Sequence, residues 1–78
     1  MTALPFTPLG RRVRRYLEAR PEGRCDRCVA AALALPGENA ITRVNQCARR
    51  FVVRAGAHRR RIACPGCGRP RIVTTPPD

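Results

Sequence analysis

The chain has 78 residues and a mass of 8.6 kDa, which is enough for one small domain over residues 1–78. This length excludes a multidomain enzyme. Aromatic residues make up 4% of the chain, and a core this poor in large side chains needs another source of stability. The formal net charge is +11, and all 16 cationic residues are arginines. This charge predicts a polyanionic partner, and arginine suits bidentate contacts to phosphate and guanine, although a GC-rich genome would also favour arginine over lysine.

Two further classes of protein are excluded by what the chain does not contain. No stretch approaches the roughly 20 apolar residues of a membrane-spanning helix, and no apolar run of a secretory signal follows the start of the chain. We therefore expect a soluble, cytoplasmic protein with no membrane partner. General acid–base catalysis needs a tuned histidine or carboxylate pair, whereas this chain offers His58, which lies beside three arginines, and scattered acids. We expect no enzymatic activity and a solvated or phosphate-facing His58.

The first predicted helix begins after Thr7, a suitable N-cap, with Pro8 at the first helical position, where its missing N–H costs nothing. Pro21 ends it near Arg20. Four apolar residues lie on one face and arginines occupy the rest of the surface; the apolar residues are Leu9, Val13, Tyr16 and Leu17.

Two more helices and two strands follow in the sequence. A short, alanine-rich helix is predicted from Asp26, as N-cap, to Leu35, because Pro36 follows. A third helix begins at Asn39 and ends before Gly56. Its predicted buried stripe consists of Ile41, Val44, Ala48, Phe51 and Val52. Strands are predicted over residues 59–63 and 69–74, and we expect frayed ends at residues 1–6 and 75–78.

Two C-x-x-C pairs carry the strongest chemical signal in the chain. Four thiolates complete the closed tetrahedral shell of one structural Zn(II), and the predicted ligands are Cys25, Cys28, Cys64 and Cys67. The 35 residues between the two pairs exceed the usual spacing of a two-knuckle ribbon, so whole secondary elements lie inside the loop. Binding of zinc by four thiolates would lower the formal net charge to about +9.

Other interpretations of the cysteines remain open. Four thiolates also bind iron, thiols without a metal can simply pack in a core, and a C-x-x-C pair can be a redox centre or a disulfide. A thioredoxin-like centre would need alternating strands and helices, which the pattern does not provide. Cys47 lies to the side of the apolar stripe of the third helix, where a buried free thiol is expected.

The segment Cys64-Pro65-Gly66-Cys67-Gly68 resembles the knuckle of zinc ribbons and rubredoxins. The resemblance implies a tight turn in which backbone amides bond the ligand sulfurs and glycine permits their close approach. Arg24, Arg27 and Arg69 flank the ligands and would offset the net negative charge of a metal tetrathiolate.

The order of elements, together with the cysteine pairs, resembles a small prokaryotic or phage zinc-containing winged helix-turn-helix protein. The resemblance implies a mostly α, α+β fold with three helices and a C-terminal hairpin clipped by zinc. It also implies that residues 39–52 form the recognition helix and residues 57–73 a basic wing. The implied nucleic-acid contacts are Thr42, Arg43, Gln46, Arg49, Arg50 and Arg54 on the helix, and Arg59, Arg60 and Arg61 on the wing.

The predicted function is therefore binding of nucleic acid, with double-stranded DNA as the first choice. No carboxylate lies between Glu38 and Asp78, so the arginines of this stretch have no internal partners close in sequence. RNA, including a ribosomal site, is the alternative, and an adaptor for an acidic protein partner is the third hypothesis. A homodimer is compatible with each of them.

Overall fold

A computed structural model describes residues 7–78, which form three helices and one antiparallel sheet. The elements in chain order are α1 (Pro8–Glu18), β1 (Arg24–Cys25), α2 (Asp26–Ala32), α3 (Ala40–Ala55), β2 (His58–Ala63) and β3 (Pro70–Thr75). The strand order in the sheet is β1-β3-β2. The predicted α+β class with three helices is confirmed. The frayed segment predicted at residues 1–6 lies outside the described residues. Within residues 7–78, every helix is too short or too polar to cross a membrane.

Helix α1 begins as its sequence predicts. The Thr7 hydroxyl accepts a hydrogen bond of 3.0 Å from the Gly10 N–H, and Pro8 occupies the first turn. The helix ends at Glu18, two residues before the predicted end. Arg20 instead folds back, since its guanidinium donates to the Tyr16 carbonyl and stacks on the Tyr16 ring, 3.8 Å from the ring centroid.

Helix α2 is shorter than predicted and its cap is different. Cys25, not Asp26, is the N-cap, and its sulfur accepts a hydrogen bond from the Cys28 N–H. The helix ends at Ala32 rather than Leu35 because Ala34 adopts a left-handed conformation with φ of 53°, ahead of Pro36. The prediction was thus wrong at both ends of this helix; Asp26 does not cap it because its carboxylate accepts hydrogen bonds from Asn45 and Arg59.

Helix α3 has the predicted position, but its buried face is rotated. It ends at Ala55, where Gly56 adopts a left-handed φ of 79°. Ile41, which the sequence placed in the apolar stripe, is 39% exposed, while Cys47 is only 7% exposed and belongs to the core. The rotation follows from packing, because α1 and α2 share a core cluster with Cys47, whereas the sheet packs on α3 much less extensively. The predicted buried thiol at Cys47 is confirmed.

The sheet has one strand more than predicted. Strand β1 contributes Arg24 and Cys25, which pair with Thr74 and Val73 of β3. Gly23 leads into this strand with φ of 89°, and a Cβ atom there would lie 2.6 Å from the Thr75 side chain. Only glycine fits this position. Strands β2 and β3 each begin and end within one residue of the predicted bounds, and Thr75 belongs to β3, where it pairs with His58.

Two apolar clusters stabilise the fold. The larger one joins the three helices, and its buried members are Val13, Leu17, Val29, Ala30, Ala40, Val44, Cys47, Phe51 and Ala57. The smaller one consists of Cys25, Cys64 and Val73, so two cysteine sulfurs form much of it. The second cluster connects the start of α2 to the sheet, which is where the C-x-x-C pairs meet.

Candidate metal centre and basic surface

The four cysteines of the C-x-x-C pairs come together at one point. All four Sγ atoms lie within 4.8 Å of one another. The Cys25–Cys67 and Cys28–Cys64 Sγ distances are 3.9 and 3.7 Å. A tetrahedral ion with metal–sulfur bonds of about 2.3 Å requires sulfur–sulfur distances of about 3.8 Å. The cluster therefore fits one tetrahedral metal ion.

Backbone N–H groups point at the sulfur of Cys64. The N–H groups of Cys25 and Gly66 donate to Cys64 Sγ at 3.2 and 3.4 Å. A Cβ atom on Gly66 would lie 3.0 Å from Cys28 Sγ and 2.8 Å from Arg24 Cδ, so a larger residue would have to displace the Arg24 stem and would press on the Cys28 sulfur. The turn is closed by Cys64, whose N–H donates to Arg69 O and whose carbonyl accepts from Gly68 N–H.

These surroundings affect the thiols differently. Burial opposes ionisation of Cys64, but the N–H groups of Cys25, Cys67 and Gly66 outweigh it and lower the pKa of Cys64 to about 6. Burial raises the pKa of Cys28, and the neighbouring thiols raise it further. A bound cation favours the thiolate form at all four positions.

One arginine covers the knuckle. Arg24 Nη1 donates to Glu22 Oε2 at 3.0 Å and to the Gly23 carbonyl at 2.7 Å, and its stem lies against Gly66. Burial opposes the charged form of this arginine, but the Glu22 carboxylate outweighs it and raises the pKa of Arg24. The predicted flanking cations Arg27 and Arg69 are exposed. Arg24 is thus the one of the three that is held against the cluster.

A polar cluster that the sequence did not predict lies beside the cysteines. Arg59 makes two hydrogen bonds to the Asp26 carboxylate, of 3.0 and 3.1 Å, and a third of 2.8 Å to Thr74 Oγ1. Asn45 Nδ2 donates to the same carboxylate at 3.2 Å. The Arg59 and Asp26 side chains are 15% and 12% exposed. The one indication of this cluster in the sequence was Asp26, an acidic residue between Cys25 and Cys28 in a chain with few acidic residues.

The predicted nucleic-acid contacts fall into three groups. Six of them share the exposed side of α3, namely Thr42, Arg43, Gln46, Arg49, Arg50 and Arg54. Arg60 and Arg61 are exposed on β2 but point to opposite faces of the sheet, because neighbouring strand residues alternate. Arg61 lies on the face that borders α3, together with Ile72. Arg59 is largely buried in the polar cluster, which the prediction of a phosphate contact did not anticipate.

Two remaining residues singled out by sequence have simple environments. Cys47 lies in the main core, and burial raises the pKa of its thiol. His58 is exposed at the start of β2. Neither side chain belongs to the four-cysteine cluster.

Comparison with known proteins gives no functional assignment for the cysteine cluster or the basic surface. No protein-family model, curated protein or solved structure matches the chain.

Proposed function

We propose that this protein is a nucleic-acid-binding module that uses the exposed side of α3 and the β2–β3 hairpin to bind double-stranded DNA. In this proposal the fold acts as a winged helix-turn-helix, and one structural Zn(II) at the four cysteines holds the hairpin to the helices. The observation that carries the proposal is the exposed side of α3, which presents four arginines and no carboxylate.

The ion pairs support this proposal. Within residues 7–78, the three ion pairs use the carboxylates of Glu18, Glu22 and Asp26, and none involves an arginine of α3. A solvated helix face normally carries both signs of charge. The unpaired arginines of α3 therefore favour a polyanionic ligand.

The side chains on α3 also have the chemistry needed to read bases. Arginine donates two hydrogen bonds to guanine, and glutamine pairs with adenine, in the major groove. Arg43, Gln46 and Arg50 are spaced by three and four residues, so they lie along one side of the helix. Arg61, on the hairpin face that borders α3, then contacts phosphate or the minor groove.

Zinc is the proposed metal because a closed shell of four cysteines is typical of structural zinc sites, although iron binds the same four ligands. We expect the purified protein to contain one equivalent of zinc per chain by elemental analysis. One equivalent of iron would replace zinc in this assignment. A preparation with dispersed native NMR signals and no stoichiometric metal would contradict the metal site altogether.

The second prediction tests DNA binding by changing the two surfaces separately. Arg60→Ala with Arg61→Ala should weaken binding to all duplexes and reduce the log–log salt slope by about 0.9 for each phosphate that is no longer neutralised. On a site selected from a random duplex pool, Gln46→Ala or Arg50→Ala should each cost about 1–3 kcal/mol, with a much smaller effect on unselected DNA. Arg59 is left unchanged, because its role in the polar cluster would confound the result.

The control removes the same charge elsewhere. Arg11→Ala with Arg15→Ala changes two exposed arginines of α1, and this variant should keep more of its affinity than the hairpin variant. If the control variant lost as much DNA affinity as the hairpin variant, the affinity would depend only on the net charge of the protein. An equal decrease of the α3 variants on selected and unselected DNA would assign α3 to phosphate contacts. Binding to structured RNA without salt-dependent binding to DNA would replace DNA by RNA as the ligand.

A further inference from the structure

Exposed apolar side chains cluster in one groove of the surface. Within residues 7–78, four large hydrophobic residues are exposed: Ile41 at 39%, Val53 at 84%, Ile62 at 39% and Ile72 at 40%. All of them except Ile62 line the groove between α3 and the β2–β3 hairpin. Single exposed hydrophobic residues need no explanation, but three that line one groove point to an interaction surface.

The α3–hairpin groove consists of two adjoining hollows of about 360 and 490 Å³, which share Asn45, Arg59 and Ile72. Ile41, Asn45, Arg49 and Val53 follow one another on α3 at intervals of four residues, so they form a row that is inclined to the helix axis and has apolar residues at its two ends. Ile72 faces this row from strand β3. The row from Ile41 to Val53 is about 18 Å long, which matches about three turns of a second helix.

Arginines border the apolar residues. Arg27, Arg49 and Arg61 line the hollows and are exposed, and no carboxylate within residues 7–78 makes an ion pair with them. The nearby Asp26 carboxylate is already bound by Arg59. The floor of the groove is therefore apolar at Ile41, Val53 and Ile72 and polar at Asn45 and Arg59, which line both hollows, while the rim is cationic.

These properties select among the possible occupants. Phosphate and sugar would use the rim but would leave the apolar side chains of Ile41, Val53 and Ile72 unmatched. A second copy of the chain would bring another large positive charge to a cationic rim. A helix with apolar residues on one side and carboxylates beside them matches both the floor and the rim.

We propose that the α3–hairpin groove binds an acidic amphipathic helix of a partner protein. Apolar side chains of the partner pack on Ile41, Val53 and Ile72, and its carboxylates pair with the arginines of the rim. The groove overlaps the exposed side of α3, because Arg49 belongs to both and Val53 lies beside it. Occupation by such a helix therefore competes with nucleic acid at α3, although peptide binding itself does not depend on the proposed DNA function.

The test uses a designed peptide of about 14 residues, or four helical turns, with leucines at i, i+4, i+7 and i+11 and glutamates beside them. The control peptide has the same composition in a scrambled order, which removes the apolar side but keeps the charge. At physiological salt, fluorescence anisotropy should show the zinc-loaded protein binding the amphipathic peptide at least about tenfold more tightly than the scrambled one.

Matched variants locate the binding site. Val53→Ser and Ile41→Ser should each reduce the preference for the amphipathic peptide by about fivefold or more, since each removes apolar surface from the floor. Ile62→Ser is the control, because Ile62 has the same exposed fraction as Ile41 but lies outside the groove. It should leave the preference unchanged. Zinc content and circular dichroism verify that each variant is folded.

Three outcomes would overturn the proposal. These are equal affinity for the two peptides, an effect of Ile62→Ser as large as that of Val53→Ser, and a loss of duplex binding in Val53→Ser without any effect on the peptide. The last outcome would make the groove part of the nucleic-acid surface. Failure of the proposed DNA function would give a different result. The wild-type protein would not bind the duplex but would still prefer the amphipathic peptide to the scrambled one.

Discussion

Cys64→Ser is expected to abolish stoichiometric metal binding and to remove most of the cooperative structure of the protein. Cys64 is 1% exposed, its sulfur lies 3.7 Å from Cys28 Sγ, and it contributes to the smaller apolar cluster with Val73. In a domain this small, metal binding supplies a large part of the folding free energy. Thermal unfolding followed by circular dichroism, together with elemental analysis, checks the result. Addition of a strong chelator to the wild type should reproduce it.

Cys47→Ser is the matched control, because Cys47 is a buried cysteine outside the metal cluster. It should keep one equivalent of metal and a cooperative unfolding transition, with a destabilisation of about 1–2 kcal/mol from burial of a hydroxyl. Loss of metal from Cys47→Ser with retention in Cys64→Ser would show that the ligands have been assigned to the wrong cysteines.

Asp26→Asn is expected to lower the free energy of unfolding by about 3 kcal/mol, because it leaves the Arg59 guanidinium largely buried without a carboxylate. The substitution keeps the size of the side chain, so packing between the two ligands Cys25 and Cys28 is little changed. Chemical unfolding of the zinc-loaded protein measures the effect, and elemental analysis verifies that the metal remains bound.

The control for this prediction is Glu18→Gln, which removes the carboxylate of the Arg14–Glu18 pair on α1. These side chains are 39% and 48% exposed, so the destabilisation should be about 0.5 kcal/mol or less. Equal effects of the two substitutions would show that the Asp26–Arg59 pair contributes no more than a surface ion pair. A double variant, Asp26→Leu with Arg59→Met, should recover much of the stability, because neither buried charge remains.

The sequence alone was sufficient for features that depend on neighbouring residues. Thr7 and Pro8 define the start of α1, Gly56 defines the end of α3, and both are local backbone effects. The two C-x-x-C pairs predicted the cluster, because each pair has ligand spacing of its own and only their meeting required the fold. The charge of the exposed side of α3 was equally visible in the sequence.

Tertiary structure decided the features that depend on distant residues. Strand β1 has two residues and no pattern of its own, and it exists because β3 offers an edge to Arg24 and Cys25. Arg59 is a component of the polar cluster because Asp26, 33 residues away, meets it. Packing of α1 and α2 against α3 buried Cys47 and left Ile41 exposed in the groove. Helix periodicity specifies which residues share a face, but the position of the neighbouring elements determines which face is buried.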